Sequence, residues 1–131
     1  MDTQGSYKKK NHSNNNHSLL VKNVVEILKK GGFENISANM PEYKKPAVIG
    51  KSANGKGYIP DITAKRDVDV LLEIETIDSI GKRYTDVKWK AFDKHAREND
   101  MLFYLIVPQG LSSKVNEKTE RLKIFPKVMV V

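Results

Sequence analysis

Three carboxylates, those of Asp61, Glu73 and Glu75, are spaced so that they can share one face of a small sheet. Side chains alternate between the two faces of a β-strand, so Glu73 and Glu75 point the same way if residues 69–76 form a strand. A hairpin centred on Asp67 pairs Asp61 directly with Glu73, at about 4.5–5.5 Å between their Cβ atoms. Glu75 then follows about 6.6 Å further along that face. We therefore predict a cluster of three acids.

Acidic groups held this close repel one another, and partial burial raises that cost unless a positive charge lies between them. A divalent cation can supply this charge, because Mg²⁺ takes oxygen ligands, commonly one or two carboxylates with water and substrate phosphate. Such a metal polarises a phosphodiester and lowers the pKa of an attacking water. The cluster thus indicates hydrolysis of nucleic acid with Mg²⁺ or Mn²⁺ as cofactor. The alternative is the hydrated face of an antiparallel sheet.

Composition and charge narrow the class of protein. The 131 residues suffice for one domain, and 23 Lys and Arg against 16 Asp and Glu give a formal net charge of +7. This basic balance favours nucleic acid as partner. The absence of cysteine excludes disulfides, thiolate zinc sites and cysteine nucleophiles. No apolar run approaches the ~20 residues of a membrane span, and no signal-peptide pattern is present, so we expect a cytoplasmic protein without a membrane partner.

The acids must be positioned by a domain that begins after a polar segment. Residues 1–17 offer no apolar face, so we predict a disordered tail there, with His12 and His17 solvated, followed by a single domain at 18–131. A helix is predicted from Ser18, as N-cap, to the two glycines after Lys30. Apolar residues at helical spacing predict the face of this helix that packs on a sheet. They are Leu20, Val21, Val24, Ile27 and Leu28.

The remaining elements predict an α/β domain. A second helix is expected from Thr85, as N-cap, to Glu98, with Trp89, Phe92 and Ala96 as its core stripe. The predicted element order is α-β-β-β-α-β-α-β. The strands are predicted at 33–40, 58–65, 69–76, 101–107 and 127–131, and the third helix at 112–123. On the first hairpin, Val70, Leu72 and Ile74 are expected to share one face with Ile62 and Ala64.

The motif and the element order together resemble a known family. Pro60-Asp61, then after eleven residues Glu73-Ile74-Glu75, resembles the PD-(D/E)xK nuclease superfamily, the fold of many restriction endonucleases and archaeal Holliday-junction resolvases. Residues 57–64 and the glycine-rich loop before them are most similar to the resolvase-like branch. The resemblance covers about residues 18 to 108. It implies a restriction-endonuclease-like α-β-β-β-α-β core with a central mixed sheet flanked by helices, a Mg²⁺-dependent site that cleaves phosphodiesters, and, as often in this family, a homodimer.

The resemblance also implies roles for individual residues. Asp61 would be the motif aspartate and a metal ligand, Glu73 a second ligand, and Ile74 a third through its backbone carbonyl. Glu75 stands where the motif has lysine, as in a minority of restriction endonucleases. Lys88, one turn into the second helix, can replace that lysine, the alternative being a solvated surface residue.

Other charged residues receive weaker assignments. The glutamate that many resolvase-like proteins carry early in the first helix is absent, and Glu26 is expected in a surface ion pair. Tyr104 is expected in the core and His95 at its border. The candidates for contacts with DNA phosphates are Lys51, Lys56, Lys82 and Arg83.

Three hypotheses follow for function. The first is a metal-dependent endonuclease that hydrolyses branched or duplex DNA, with Asp61, Glu73, Glu75 and Lys88 as catalytic residues and Glu75 or Lys88 activating water. The second is a module of the same fold that has lost turnover and binds nucleic acid or a protein. The third is a structural protein with no affinity for nucleic acid.

Overall fold

The computed structural model describes the backbone of residues 2–51 and 54–131, and the side chains within 16–51 and 54–131. Eight elements follow one another in the predicted order. They are α1 (Asp2–Lys30), β1 (Glu34–Ala38), β2 (Ile62–Arg66), β3 (Val68–Ile74), α2 (Arg83–Glu98), β4 (Leu102–Val107), α3 (Ser112–Leu122) and β5 (Lys127–Val130). No helix in the described part of the chain has the length and apolar character to cross a membrane.

The strands form one mixed sheet in the order β1-β2-β3-β4-β5. β2 runs antiparallel to both β1 and β3, whereas β3, β4 and β5 are parallel neighbours. The two parallel connections run through α2 and α3, as a parallel crossover requires. The chain is therefore an α/β protein with a five-stranded mixed sheet and three flanking helices, which confirms the predicted class and arrangement at this level.

The two faces of the sheet carry separate cores because alternate residues of each strand point to opposite sides. On one face α1 packs on the side chains predicted to share it, Val70, Leu72, Ile74, Ile62 and Ala64. On the other face α2 and α3 cover a core that includes Leu71, Leu105, Trp89 and Phe92. Both faces are thus buried, so β3 lies in the interior on each side.

The predicted register of the β2–β3 hairpin is confirmed. Ile62 pairs with Leu72 and Arg66 with Val68, so the hairpin is centred on Asp67. Asp67 has a positive φ of 66°, a conformation that aspartate tolerates better than most residues. One turn residue therefore fixes which side chains of the two strands face each other.

The first helix differs from its prediction in two ways. α1 includes Ser18, so this residue is not an N-cap. Val25 is fully buried in the core while Ile27 is 62% exposed, so the prediction of a core role for Ile27 was wrong. The predicted disordered tail, with His12, falls almost wholly on residues whose side chains lie outside the described part.

Smaller corrections concern the ends of other elements. Tyr58 is not part of β2 but forms an isolated bridge with Ile49, because the backbone between Tyr58 and Asp61 leaves the ladder. α2 begins at Arg83, and Thr85 lies within it, where its hydroxyl donates to the carbonyl of Ser79. Tyr104 is half-buried rather than a full core residue. His95 is half-buried, as a border residue should be.

Candidate functional site

The predicted acids converge where β2 and β3 meet. Asp61 lies immediately before β2, Glu73 lies near the end of β3, and Glu75 follows that strand directly. The backbone N–H of Asp61 donates to Oε1 of Glu73 at 2.9 Å. The backbone N–H of Ile74 donates to Oδ2 of Asp61 at 2.8 Å. These two reciprocal bonds fix Asp61 opposite Glu73, as the hairpin register predicts.

Glu73 is almost completely buried, with 2% of its surface exposed. Burial raises its pKa well above the ordinary range of a glutamate, and the negative charge of Asp61 raises that pKa further. The nearby ammonium of Lys88 opposes both effects. The carboxyl of Glu73 therefore gains a proton more readily than an exposed glutamate does.

Lys88 reaches this cluster from α2. Its Nζ lies 2.5 Å from Oε2 of Glu73 and 3.7 Å from Oε2 of Glu75. Burial alone would lower the pKa of Lys88, but the charges of Glu73 and Glu75 outweigh that effect and raise it. Lys88 is therefore a protonated, largely buried cation between two buried acids, in the position hypothesised for a replacement of the motif lysine.

Glu75 is fully buried and is held by neighbouring donors. The indole N–H of Trp89 donates to its Oε2 at 2.8 Å, and the hydroxyl of Ser79 donates to its Oε1 at 2.6 Å. Both carboxylate oxygens thus accept hydrogen bonds from the protein. This arrangement suits Glu75 to positioning Lys88 rather than to taking a proton from water.

His17 is the site residue that sequence reasoning missed. It was expected to be solvated in a tail, but it lies on α1 with Nε2 3.2 Å from Oδ2 of Asp61. The hydrogen bond to Asp61 raises the pKa of His17, although burial opposes the shift. The signal was its spacing, because His17 precedes Val21, Val24 and Leu28 on the same face of a helix. Recognising it required a helix that begins before Ser18.

In the described part of the chain, the other predicted residues form no hydrogen bond or ion pair with the three acids. Glu26 forms an exposed ion pair with Lys29, as expected, so α1 supplies His17 and no glutamate to the cluster. Lys51 lines a groove beside α2 together with Lys94, His95 and Glu98. All four lysines and arginines assigned to DNA phosphates are exposed. These are Lys51, Lys56, Lys82 and Arg83.

A groove of about 560 Å³ opens next to the acids. It lies at the carboxyl ends of β3 and β4, between α1 and the loops that follow those strands, where open α/β sheets commonly bind ligands. Asn16, which precedes His17, and Thr76, which follows Glu75, are part of its wall. None of Asp61, Glu73 and Glu75 lines this groove, so it is a neighbouring feature at the same end of the sheet.

The residues present fit a cation such as Mg²⁺ only as a partial ligand set. In the described ranges, no group of three or more His, Cys, Asp or Glu is arranged to hold a metal. Asp61 and Glu73 supply two carboxylates, and the N–H of Ile74 donates to Oδ2 of Asp61, so the backbone of Ile74 lies beside them. Mg²⁺ commonly takes one or two carboxylates and fills its shell with water and phosphate. Asp61 and Glu73 therefore match the two carboxylates of such a shell, and Oε2 of Glu73 is also paired with Lys88.

Comparison with known proteins leaves the family open. Searches with this chain gave no match among protein-family models, curated proteins or solved structures.

Proposed function

We propose that this chain is a divalent-metal-dependent nuclease that hydrolyses phosphodiester bonds in DNA, with a site of the PD-(D/E)xK kind. One observation carries the proposal: the carboxylate of Glu73 contacts the ammonium of Lys88 and also accepts a hydrogen bond from the N–H of Asp61. Two acids from a hairpin and a lysine are the groups that the motif combines, and here the lysine comes from α2. A restriction-endonuclease-like core, a homodimer and a cytoplasmic location belong to the same proposal.

Asp61, Glu73 and the carbonyl of Ile74 would hold Mg²⁺ or Mn²⁺. When bound, such an ion would polarise the phosphodiester and lower the pKa of the attacking water. The hydrogen bonds of Asp61 to Ile74 and Glu73 keep the two carboxylates in place without substrate. The two carboxylates are thus ordered when the protein folds, so substrate binding does not have to supply the entropic cost of arranging them.

Lys88 acts as a cation in this mechanism. Its raised pKa keeps the ammonium charged at neutral pH, so it donates hydrogen bonds to a phosphate oxygen and stabilises the negative charge that develops there. Removing a proton from water would require a neutral amine, which that shift disfavours. Glu75, with Trp89 and Ser79 on its oxygens, holds Lys88 near Glu73.

The proposal is tested by cleavage of supercoiled plasmid, four-way junction and single-stranded DNA with Mg²⁺ or Mn²⁺. We expect the wild type to cut at least one of them, and Asp61→Asn and Glu73→Gln to abolish cutting. Asp69→Asn is the matched control, because Asp69 is an exposed acid of the same hairpin. Cleavage that persists in both site variants would show that the activity is not from this site.

A second candidate is a module that binds nucleic acid or a protein without turnover. It is favoured by the pairing of Lys88 with Oε2 of Glu73, because an ammonium there can neutralise the acids without a metal. This candidate predicts salt-sensitive DNA binding with neither cleavage nor metal binding. Calorimetric titration with Mn²⁺ separates it from the nuclease.

A further inference from the structure

An exposed aromatic ring lies beside the lysine of the site. Tyr84, in the first turn of α2, is 59% exposed. Nζ of Lys88 lies 5.7 Å from the centre of its ring, and the same ammonium contacts Glu73. An aromatic surface is therefore one side chain away from the acids.

The ring of Tyr84 is held by a row of aromatic side chains that leads out of the core. Phe103 packs edge-on against Phe92, and Phe92 against Tyr58. Tyr58 packs against Tyr84 with 5.7 Å between ring centres. The backbone of Tyr58 is itself fixed by two hydrogen bonds to Ile49, at 2.7 and 2.8 Å. Tyr84 is thus a preorganised exposed end of a buried row.

Basic residues precede this ring in the chain and recur further along α2. Lys82 and Arg83 precede Tyr84 in the chain and are exposed, and Lys51 and Lys94 share a groove further along α2. A surface that binds single-stranded nucleic acid combines two parts. Basic side chains contact the phosphate backbone, and an aromatic ring stacks on a base. Bases within a duplex stack on each other, so only an unpaired base can offer its face to Tyr84.

We propose that Tyr84 is a stacking platform for an unpaired base of the DNA strand whose phosphate lies at Lys88, so that the substrate is single-stranded or locally unpaired DNA. This inference rests on the proposed function for the identity of its ligand. Tyr84 is a binding and specificity residue in it, distinct from the acids that would hold the metal.

The test measures fluorescence anisotropy of a labelled single-stranded oligonucleotide and of its duplex, in chelator so that no cleavage occurs. Tyr84→Leu keeps an apolar contact with Tyr58 but removes the ring. We expect it to weaken single-strand binding by roughly 5- to 150-fold, with little effect on the duplex. Tyr84→Phe and Tyr84→Trp should bind as the wild type does. Val87→Ala, an exposed truncation in the same helix, is the control and should change neither affinity.

Equal single-strand affinity of Tyr84→Leu and wild type would overturn the inference, as would a wild type that prefers the duplex. A parallel loss in Val87→Ala would also overturn it, because the effect would then not belong to the ring. Circular dichroism of each variant verifies that it is folded. Cleavage with Mg²⁺ is assayed separately. If the wild type does not cleave DNA but its single-strand binding still depends on the ring of Tyr84, the nuclease proposal alone is contradicted. If the wild type cleaves DNA but its binding does not depend on that ring, the stacking role of Tyr84 alone is contradicted.

Discussion

Lys88 supplies the charge that allows two carboxylates to remain in the interior. Glu73 and Glu75 are both buried, and an unpaired buried carboxylate is far more costly than a paired one. The indole of Trp89 and the hydroxyl of Ser79 add hydrogen bonds to Glu75. Removal of one member of the cluster therefore leaves another buried polar group without its partner, which is unfavourable.

Substitution of Lys88 by methionine should lower the free energy of unfolding by about 3–5 kcal/mol, because it leaves Glu73 and Glu75 without their cation. Urea denaturation at pH 7 measures this change. Lys90→Met, at an exposed position of the same helix, should stay within about 0.5 kcal/mol of wild type. Adding Glu73→Gln to Lys88→Met should recover part of the loss. Equal effects of the two lysine substitutions would contradict the pairing.

The two basic side chains of the site were unequally predictable. Lys88 could be anticipated because it lies one turn into a helix that begins soon after Glu75. His17 was harder to anticipate, because its spacing from Val21, Val24 and Leu28 is informative only if the helix begins before Ser18, and the polar segment there has no apolar residues that predict such a start. Sequence reasoning thus identified the acids and one cation, and missed the partner from the opposite face of the sheet.

At the scale of elements, α1 shows how packing refines an amphipathic pattern. From the spacing of its apolar residues alone, the buried face is predicted to run from Leu20 to Leu28 and to include Ile27. In the structure the helix is rotated by about 50° from that orientation, so Val25 enters the core and Ile27 faces solvent. Hydrophobicity gave the existence of the face, whereas the surface of the sheet determined its centre.

The rotation of α1 predicts opposite sensitivities for two neighbouring apolar residues. Val25→Ala should destabilise the protein by about 2 kcal/mol, because it leaves a cavity in the core between α1 and the sheet. Ile27→Ala removes more atoms but should cost no more than about 0.5 kcal/mol, since its side chain is mostly in water. Thermal and urea unfolding of both variants give the comparison. A larger cost for Ile27→Ala would contradict the observed orientation.

Asp86 links α2 to α3 through Lys118 and Arg121, at 2.5 and 3.3 Å. Burial alone would raise its pKa, but the hydrogen bonds and charges of Lys118 and Arg121 outweigh it and lower the pKa. A lowered carboxyl pKa gives stability that is present above the unfolded value of about 3.9 and is lost as pH falls through the folded value. The link between the two helices should therefore weaken in acid.

Asp86→Asn should cost roughly 1–3 kcal/mol at pH 6, because Lys118 loses a charged acceptor. The difference in the free energy of unfolding between variant and wild type should disappear as the pH falls below the folded pKa of Asp86. Urea unfolding at pH 6 and at stepwise lower pH measures it. Asp78→Asn, in the loop before α2, provides a carboxyl-to-amide comparison away from α3. A gap that stays constant with pH would mean that ionisation of Asp86 does not contribute.

At the scale of the whole molecule, local signals determined the sheet well. The hairpin register followed from centring it on Asp67, and the same register brings Asp61 to Glu73. The order of helices and strands followed from periodicity and breakers. Local signals also placed Lys88 on α2 near the acids, but they did not show that α1 reaches the same cluster with His17. That contact depends on the relative placement of α1 and the hairpin, which no short window of sequence contains.

If the chain binds DNA as proposed, its excess of cations predicts a strong dependence of that binding on salt. Affinity should fall linearly on logarithmic axes, and Lys82→Gln should reduce the slope by about 1 if Lys82 contacts a phosphate. Lys30→Gln is the matched control, because Lys30 ends α1 on the opposite face of the sheet from α2. Anisotropy titrations from low to moderate NaCl measure both. The same slope in all three proteins would place the contact elsewhere.

The bond from the N–H of Ile74 to Asp61 has a consequence for observing the site without any ligand. The amides of β3 that take part in the strand ladder exchange with deuterium only when the sheet opens. The amide of Ile74 is instead shielded by a carboxylate, so its exchange should follow the position of Asp61. Movement of that one side chain would be visible as faster deuterium uptake at Ile74 while Leu72 stays protected.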